Sequence, residues 1–378
     1  MYQKLEPKGS KWHLHGFACL AGNYILMMFY TTVAGWMLQY FFLEAGGRFE
    51  GLDPDGVANV FSQNLLSPAM QVGFMGLVVV LGCFVNMRGL QAGLERVTKV
   101  MMILLIIIMM ILAVNSIFLP GAAEGIRYLL IPDFKRMQEA GIWNVISAAM
   151  NQSFFTLSVG IGSMAIFGSY IGRERSLFGE SVNVVLLDTF VAICSGLIII
   201  PACFAYGVEA GAGPSLIFIT LPNIFNNMPL GRVWGSLFFV FMSFAAFSTV
   251  LAVFENIMAM CMDLFGCSRF KSGLFNIFAI FIGSLPCALG FNVLSWIQPR
   301  GEGSAILDLE DFIVSNFLLP LGALVFVLFC TRKFGWGWEN FRNEADEGEG
   351  VKLPEWTRPY ITWVLPILII IVFIKGLI

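Results

Sequence analysis

Residues 143–171 read WNVISAAMNQSFFTLSVGIGSMAIFGSYI, a run long enough to cross a bilayer as a helix. Its centre does not suit an uninterrupted one. Asn151, Gln152, Ser153, Thr156, Ser158, Gly160, Gly162 and Ser163 crowd together there. Small hydroxyl side chains and two glycines at mid-depth predict a helix that unwinds and leaves backbone groups in need of partners. Within hydrocarbon such a break persists only where protein buries it or where it lines a cavity.

The rest of the chain supplies that setting. Of its 378 residues 58% are hydrophobic and only 12% charged, with a mean hydropathy of +0.80. Soluble domains carry roughly a quarter charged residues, so the composition predicts an all-α integral membrane protein with the lipid bilayer as its solvent. A net charge of −3 argues against a nucleic-acid partner. The first apolar run, from Gly16 to about Leu43, is too long for a cleavable leader and reads as a span. The eight cysteines fall in or beside apolar runs without metal or redox spacing, and packing is their expected role.

The length rule places nine spans at roughly 14–43, 70–88, 99–119, 143–171, 183–207, 231–264, 273–297, 308–331 and 359–377. Residues 1–378 therefore read as one transmembrane domain. Segment 332–358, with FRNEADEGEGVKLPEW at 341–356, reads as a hydrated polar loop on the cytoplasmic side. Lysine and arginine concentrate in the segments that lie inside when the N-terminus is cytoplasmic, among them Lys4, Lys8, Lys11, Arg173, Arg175, Arg332 and Lys333. That bias orients the chain, N-terminus inside.

Polar residues within spans are costly and usually functional. The first span holds Asn23, Tyr24, Tyr30, Thr31, Thr32 and Gln39, and the fifth holds Asp188. In the sixth, Ala245, Ser248 and Thr249 lie within about one turn and can share a face. Taken alone, that face fits close helix packing, with its hydroxyls bonded back to the preceding turn. An intramembrane carboxylate is harder to explain by packing. Hard cations take oxygen ligands, and the chain offers them near Thr156 and Ser158, at Asp188, and at Ser248 with Thr249. His13 and His15 form an H-x-H at the membrane edge, where an interfacial role fits better than a metal site. Phosphate loops, catalytic triads and zinc spacings are absent from the sequence. The residues point to a cation-coupled transporter and not an enzyme, with no organic cofactor.

Several stretches resemble the neurotransmitter:sodium symporter family, in order along the chain. FFTLSVGIG (154–162) with GSYIGR (168–173) is similar to its unwound sixth helix. KLEPKGSKWH (4–13) resembles the cytoplasmic loop before the third helix, and FYTTVAGW (29–36) the binding-site part of that helix. GLERVTKVMM (93–102) resembles the start of the fifth helix, and PSLIFITLPNIFNNMP (214–229) the outer fourth loop. SFAAFSTVLAVFE (243–255) resembles the eighth helix and ILDLEDFIVSN (306–316) the tenth.

The resemblance implies an inverted-repeat helical bundle that, in the complete protein, moves a small amino acid by alternating access with sodium as coupling ion. It implies a plasma-membrane location, the bacterial inner membrane. Tyr30 matches the tyrosine that bonds the substrate carboxylate, and Phe155 the aromatic lid. Thr156, Ser158, Ile161 and Thr249 would contact substrate, with Leu26 and Val253 as apolar walls. Thr156 and Asp188 would bind the first sodium, with Asn183 the alternative register for the latter. Ala245 through its carbonyl, Ser248 and Thr249 would bind the second. Asp311 resembles the acidic half of the outer gate, and Asp263 and Tyr170 parts of the inner one. The mostly apolar wall implies a substrate with an apolar or aromatic side chain.

In the family two helices precede KLEPKGSKWH, whereas Met1 here lies three residues before it. The expectation is an N-terminally truncated chain, from a late start codon, a shortened gene or separately encoded front helices. The alternative function is accordingly a transport-inactive fragment or a non-transporting regulatory membrane protein.

Overall fold

The computed structural model describes residues 2–207 and 213–377. The apolar runs are helices in it. Among the described residues, eight unbroken helices are long and apolar enough to cross a membrane. In chain order, together with the two halves of the broken one, the helices are α1 (Leu14–Ala45), α2 (Pro68–Met87), α3 (Gly93–Ile117), α4 (Ile142–Thr156), α5 (Ser163–Gly168), α6 (Leu177–Ala205), α7 (Gly231–Phe265), α8 (Arg269–Leu289), α9 (Ile306–Thr331) and α10 (Thr357–Leu377). The span expected at 143–171 is α4 and α5, separated by an unwound segment. Leu104 and Ile107 of α3, Leu186 and Leu187 of α6, and Ile367 of α10 are exposed. Faces this apolar and this open suit hydrocarbon rather than water.

Some boundaries differ from the sequence reading. α8 begins at Arg269 rather than near 273, because Ser268 caps it by accepting from the Lys271 amide at 3.5 Å. It ends at Leu289, ahead of the 297 expected.

The helices group into two compact units. The first takes the described residues of 1–26, 134–190 and 309–378, and the second those of 27–133 and 191–308. In the second unit α2 packs on α8, and α7 packs on α2, α3 and α8. Its aromatic core centres on Tyr40, whose ring meets Phe49, Phe61, Phe218 and Phe239. Glu255, fully buried, receives both ends of the Arg269 guanidinium at 2.6 and 2.8 Å. Arg269 also donates to the Asn86 carbonyl at 3.3 Å, and the Asn86 amide donates to the Leu251 carbonyl at 2.8 Å. One planar cation thereby ties the ends of α2 and α8 to α7.

Proline shapes several helices. π-helical turns at Leu216–Thr220, Ile313–Leu318 and Tyr360–Val364 are each followed two residues later by Pro222, Pro320 or Pro366. Proline has no N–H, and its ring crowds the carbonyl four residues back, so the helix widens there. For Pro366 that carbonyl belongs to Thr362. In the first unit Arg332 donates to it at 3.0 Å and lays its guanidinium 4.0 Å from the Trp363 ring centre.

The segment expected as a hydrated loop is folded in part. Trp338–Ala345 is a helix, and Trp338, Ala345 and Leu353 are buried. The Glu349 amide donates to the Glu174 carbonyl at 2.8 Å, and the Ser176 amide donates to the Glu349 carbonyl at 2.9 Å. The Ser176 hydroxyl donates to the Val351 carbonyl at 2.7 Å. Charged side chains hid this docking in the sequence, because it runs through backbone groups and three scattered apolar residues.

The H-x-H pair separates into two contacts: the His13 ring lies 2.7 Å from the Glu6 carboxylate, and the His15 ring 2.9 Å from the Tyr2 hydroxyl. Glu6 also accepts from the Ser10 hydroxyl and the His13 amide, each at 3.1 Å. Desolvation pushes its carboxyl upward, but these bonds outweigh that and hold it below the usual carboxylate value.

Two outcomes follow. Arg332→Met leaves the Thr362 carbonyl without its donor and should cost about 1.5–3 kcal/mol, read as a lowered melting temperature in detergent; an unchanged melt would show that the bond contributes nothing. A depressed carboxylate adds stability that is complete above its unfolded pKa, about 4.3, and fades as pH falls through the folded value. Melting curves of the native chain and Glu6→Gln should therefore differ near neutrality and converge in acid.

Candidate functional site

α4 stops at Thr156, and the next six residues turn rather than coil. Ser158 takes a left-handed φ of 49°, and Gly160 and Gly162 take φ of 101° and 83°. The released carbonyls find side chains from α1. The Ile161 carbonyl accepts from the Asn23 amide at 2.7 Å, and the Gly160 carbonyl from the Cys19 thiol at 3.6 Å. Asn23 and Ile161 are buried. Gly160 also touches Gly322 of α9 so closely that a Cβ on either would run into the other chain segment's backbone. Two glycines at that crossing are a steric requirement. All of these residues belong to the first unit.

At the end of α4 the Thr156 hydroxyl donates to the Asp188 carboxylate at 2.8 Å. Thr156 is exposed and Asp188 half-buried. Of the two registers left open by the sequence, the contact with Thr156 is made by Asp188 and not Asn183. Phe155 and Ser158 are half-buried, whereas Leu26 and Ile161 are buried. Asp311 accepts from the Ser315 hydroxyl at 2.9 Å. Tyr170 is exposed and sets its ring edge-on to Phe167.

The second unit holds the remaining candidates. On α7 the Ala245 carbonyl accepts from the Ser248 hydroxyl at 2.8 Å and from the Thr249 hydroxyl at 3.4 Å. Thr249 is also hydrogen-bonded with Tyr30 of α1. One carbonyl and three hydroxyl oxygens thus gather at one place, and Val253 is buried a turn further on. This is the back-bonded arrangement that packing alone would give, and it is also a cluster of oxygen lone pairs. Asp263 lies exposed near the end of α7.

The sequence reading brought Thr156 to Asp188 and grouped Ala245, Ser248 and Thr249, but it missed the supports of the break. Asn23 was visible as a polar residue in a span, and its partner was not. Cys19 and Gly322 gave no signal beyond their location in apolar runs. Among the described residues no group of three or more His, Cys, Asp or Glu side chains could hold a metal. The candidate ion ligands are instead hydroxyls, a carbonyl and one carboxylate, oxygen donors of the kind hard cations take.

A profile of the sodium:neurotransmitter symporter family matches residues 64–378. An uncharacterized sodium-dependent transporter, YhdH of Bacillus subtilis (strain 168), is 32% identical over 99% of this chain and 81% of its own length. An uncharacterized sodium-dependent transporter of Haemophilus influenzae is 28% identical over 97% of this chain and 79% of its own. The crystal structure of MhsT in complex with L-phenylalanine superposes with a TM-score of 0.86 at 32% identity, covering 97% of this chain and 82% of that one. The chain belongs to the sodium:neurotransmitter symporter family. It is a multi-pass membrane protein with the helical fold of those symporters, a family of secondary transporters and not of enzymes.

Replacing Asn23 by Leu should leave the Ile161 carbonyl buried without a donor and cost about 1–3 kcal/mol. Thermal unfolding measures it, and equal stability would show that the Cys19 thiol and the glycine contact suffice to hold the break.

Proposed function

We propose that the chain carries out sodium-coupled symport of an amino acid with an apolar or aromatic side chain, by alternating access. The observation that carries this reading is the Thr156–Asp188 bond at the mouth of the broken helix. Thr156 gives its proton to one carboxylate oxygen, which leaves hydroxyl lone pairs and the second carboxylate oxygen as hard donors for a first sodium. Ala245, Ser248 and Thr249 are the donors for a second. There the two hydroxyls need only rotate off the Ala245 carbonyl to turn their lone pairs to the ion.

Tyr30, Phe155, Ser158, Ile161 and Thr249 contact the substrate in this reading, and Leu26 and Val253 form its apolar wall. Burial of Leu26, Ile161 and Val253 supports an apolar side chain, as does the L-phenylalanine bound to MhsT. Asp311 belongs to the outer gate, and Asp263 and Tyr170 to the inner one. Sodium and substrate drive the cycle by binding one state better than the other. Residues 1–378 act as one transporter domain in a plasma membrane, the bacterial inner membrane, with the N-terminus and 332–358 cytoplasmic, as the lysine and arginine bias supports.

Binding of labelled L-phenylalanine and L-leucine to the purified chain, in sodium against potassium, tests this. Binding should require sodium. Asp188→Asn and Ser248→Ala should each raise the half-saturating sodium concentration about tenfold, the equivalent of about 1.4 kcal/mol of lost coordination. Binding that is equal in sodium and potassium, or indifferent to both substitutions, would remove the assignment.

A further inference from the structure

At the C-terminal end of α1 the second unit has a cleft of about 390 Å³ that no part of the transport reading uses. Phe225, Met228 and Val233 give it apolar walls, and Glu44, Glu50 and Arg232 its charges. Glu44 is 4% exposed, and its Oε1 has no hydrogen-bond partner. Its carboxyl group lies against α7 at Gly235, where a Cβ would collide with it. A buried carboxylate oxygen without a donor is costly to keep.

Arg232 is not the missing donor. It gives Nε–H and Nη2–H to the Ala45 carbonyl and stands 3.7 Å from Glu50, outside hydrogen-bond range. The wall around Glu44 is itself tied down. Asn226, another lining residue, donates to the Leu52 carbonyl at 2.7 Å and accepts from the Gly51 amide at 3.2 Å.

A bare metal ion does not match this cleft. A hard cation such as calcium gathers six or more oxygens, whereas the walls here are largely carbon, and the space is that of a small organic ligand. A protonated amine does match: its N–H groups satisfy the carboxylate, its charge favours aromatic faces, and its apolar body covers Phe225, Met228 and Val233. We propose that the cleft is a binding site for a small organic ammonium ion carrying an apolar group, with Glu44 as its counter-ion. An occupant there would hold the end of α1 against the start of α7.

The test uses the purified chain in lipid nanodiscs, titrated with 2-phenylethylamine and with its uncharged counterpart 2-phenylethanol. The amine should bind at least about tenfold more tightly than the alcohol, since a charge-assisted bond is lost. Glu44→Gln keeps the shape and should abolish that preference. Val233→Phe, at a half-exposed rim position, should weaken amine binding about tenfold by filling the cleft. Equal affinity for amine and alcohol overturns the proposal, and so does amine binding that survives both substitutions. Neither substitution touches a residue assigned to sodium or substrate, so the result is independent of the transport reading.

Discussion

A helix that opens inside a membrane protein releases carbonyls that water cannot reach, and the first unit depends on how those of Gly160 and Ile161 are met. Asn23 donates to one, the Cys19 thiol to the other, and the glycine pair at 160 and 322 lets α9 close over the gap. With those partners the break is a fixed structure. The direction of the Thr156 hydroxyl, and with it the bond to Asp188, follows from where α4 is forced to stop. The candidate site at the mouth of the break therefore adjoins a turn whose carbonyls are met by an amide and a thiol.

Much of this was legible in the sequence, and for stated reasons. Hydrophobic length places helices well, because the bilayer fixes the number of residues needed to cross it. The crowding of hydroxyls and glycines between Asn151 and Ser163 marked the break, and the isolation of Asp188 within an apolar run marked it as a candidate ligand. What stayed hidden depends on distance in space. Asn23 meets Ile161 across a separation that no local pattern encodes, and Gly322 reads like any other glycine in a span. The register between Asn183 and Asp188 needed the helix to be built before one of them faced Thr156.

The prolines teach a related lesson. A proline in an apolar run reads only as a tolerated irregularity. In the structure Pro222, Pro320 and Pro366 each follow a widened turn, and Pro366 leaves a carbonyl whose replacement donor, Arg332, lies just past the end of α9. Glu255 and Arg269 show the same logic with charge, since the buried carboxylate is tolerable only with both of its oxygens engaged. Local sequence states the problem in these places, and tertiary structure supplies the answer.

The strap formed by residues 338–353 has a mechanical meaning. It joins edge to edge with residues 174–176, which leave the second half of the broken helix by only a few positions. Displacing that half-helix must either drag the strap along or peel away two backbone bonds and the Ser176 hydroxyl. The strap is thus geared to the most irregular part of the fold. From the polar surface, a spectroscopic label on it would register rotations that begin at a buried turn.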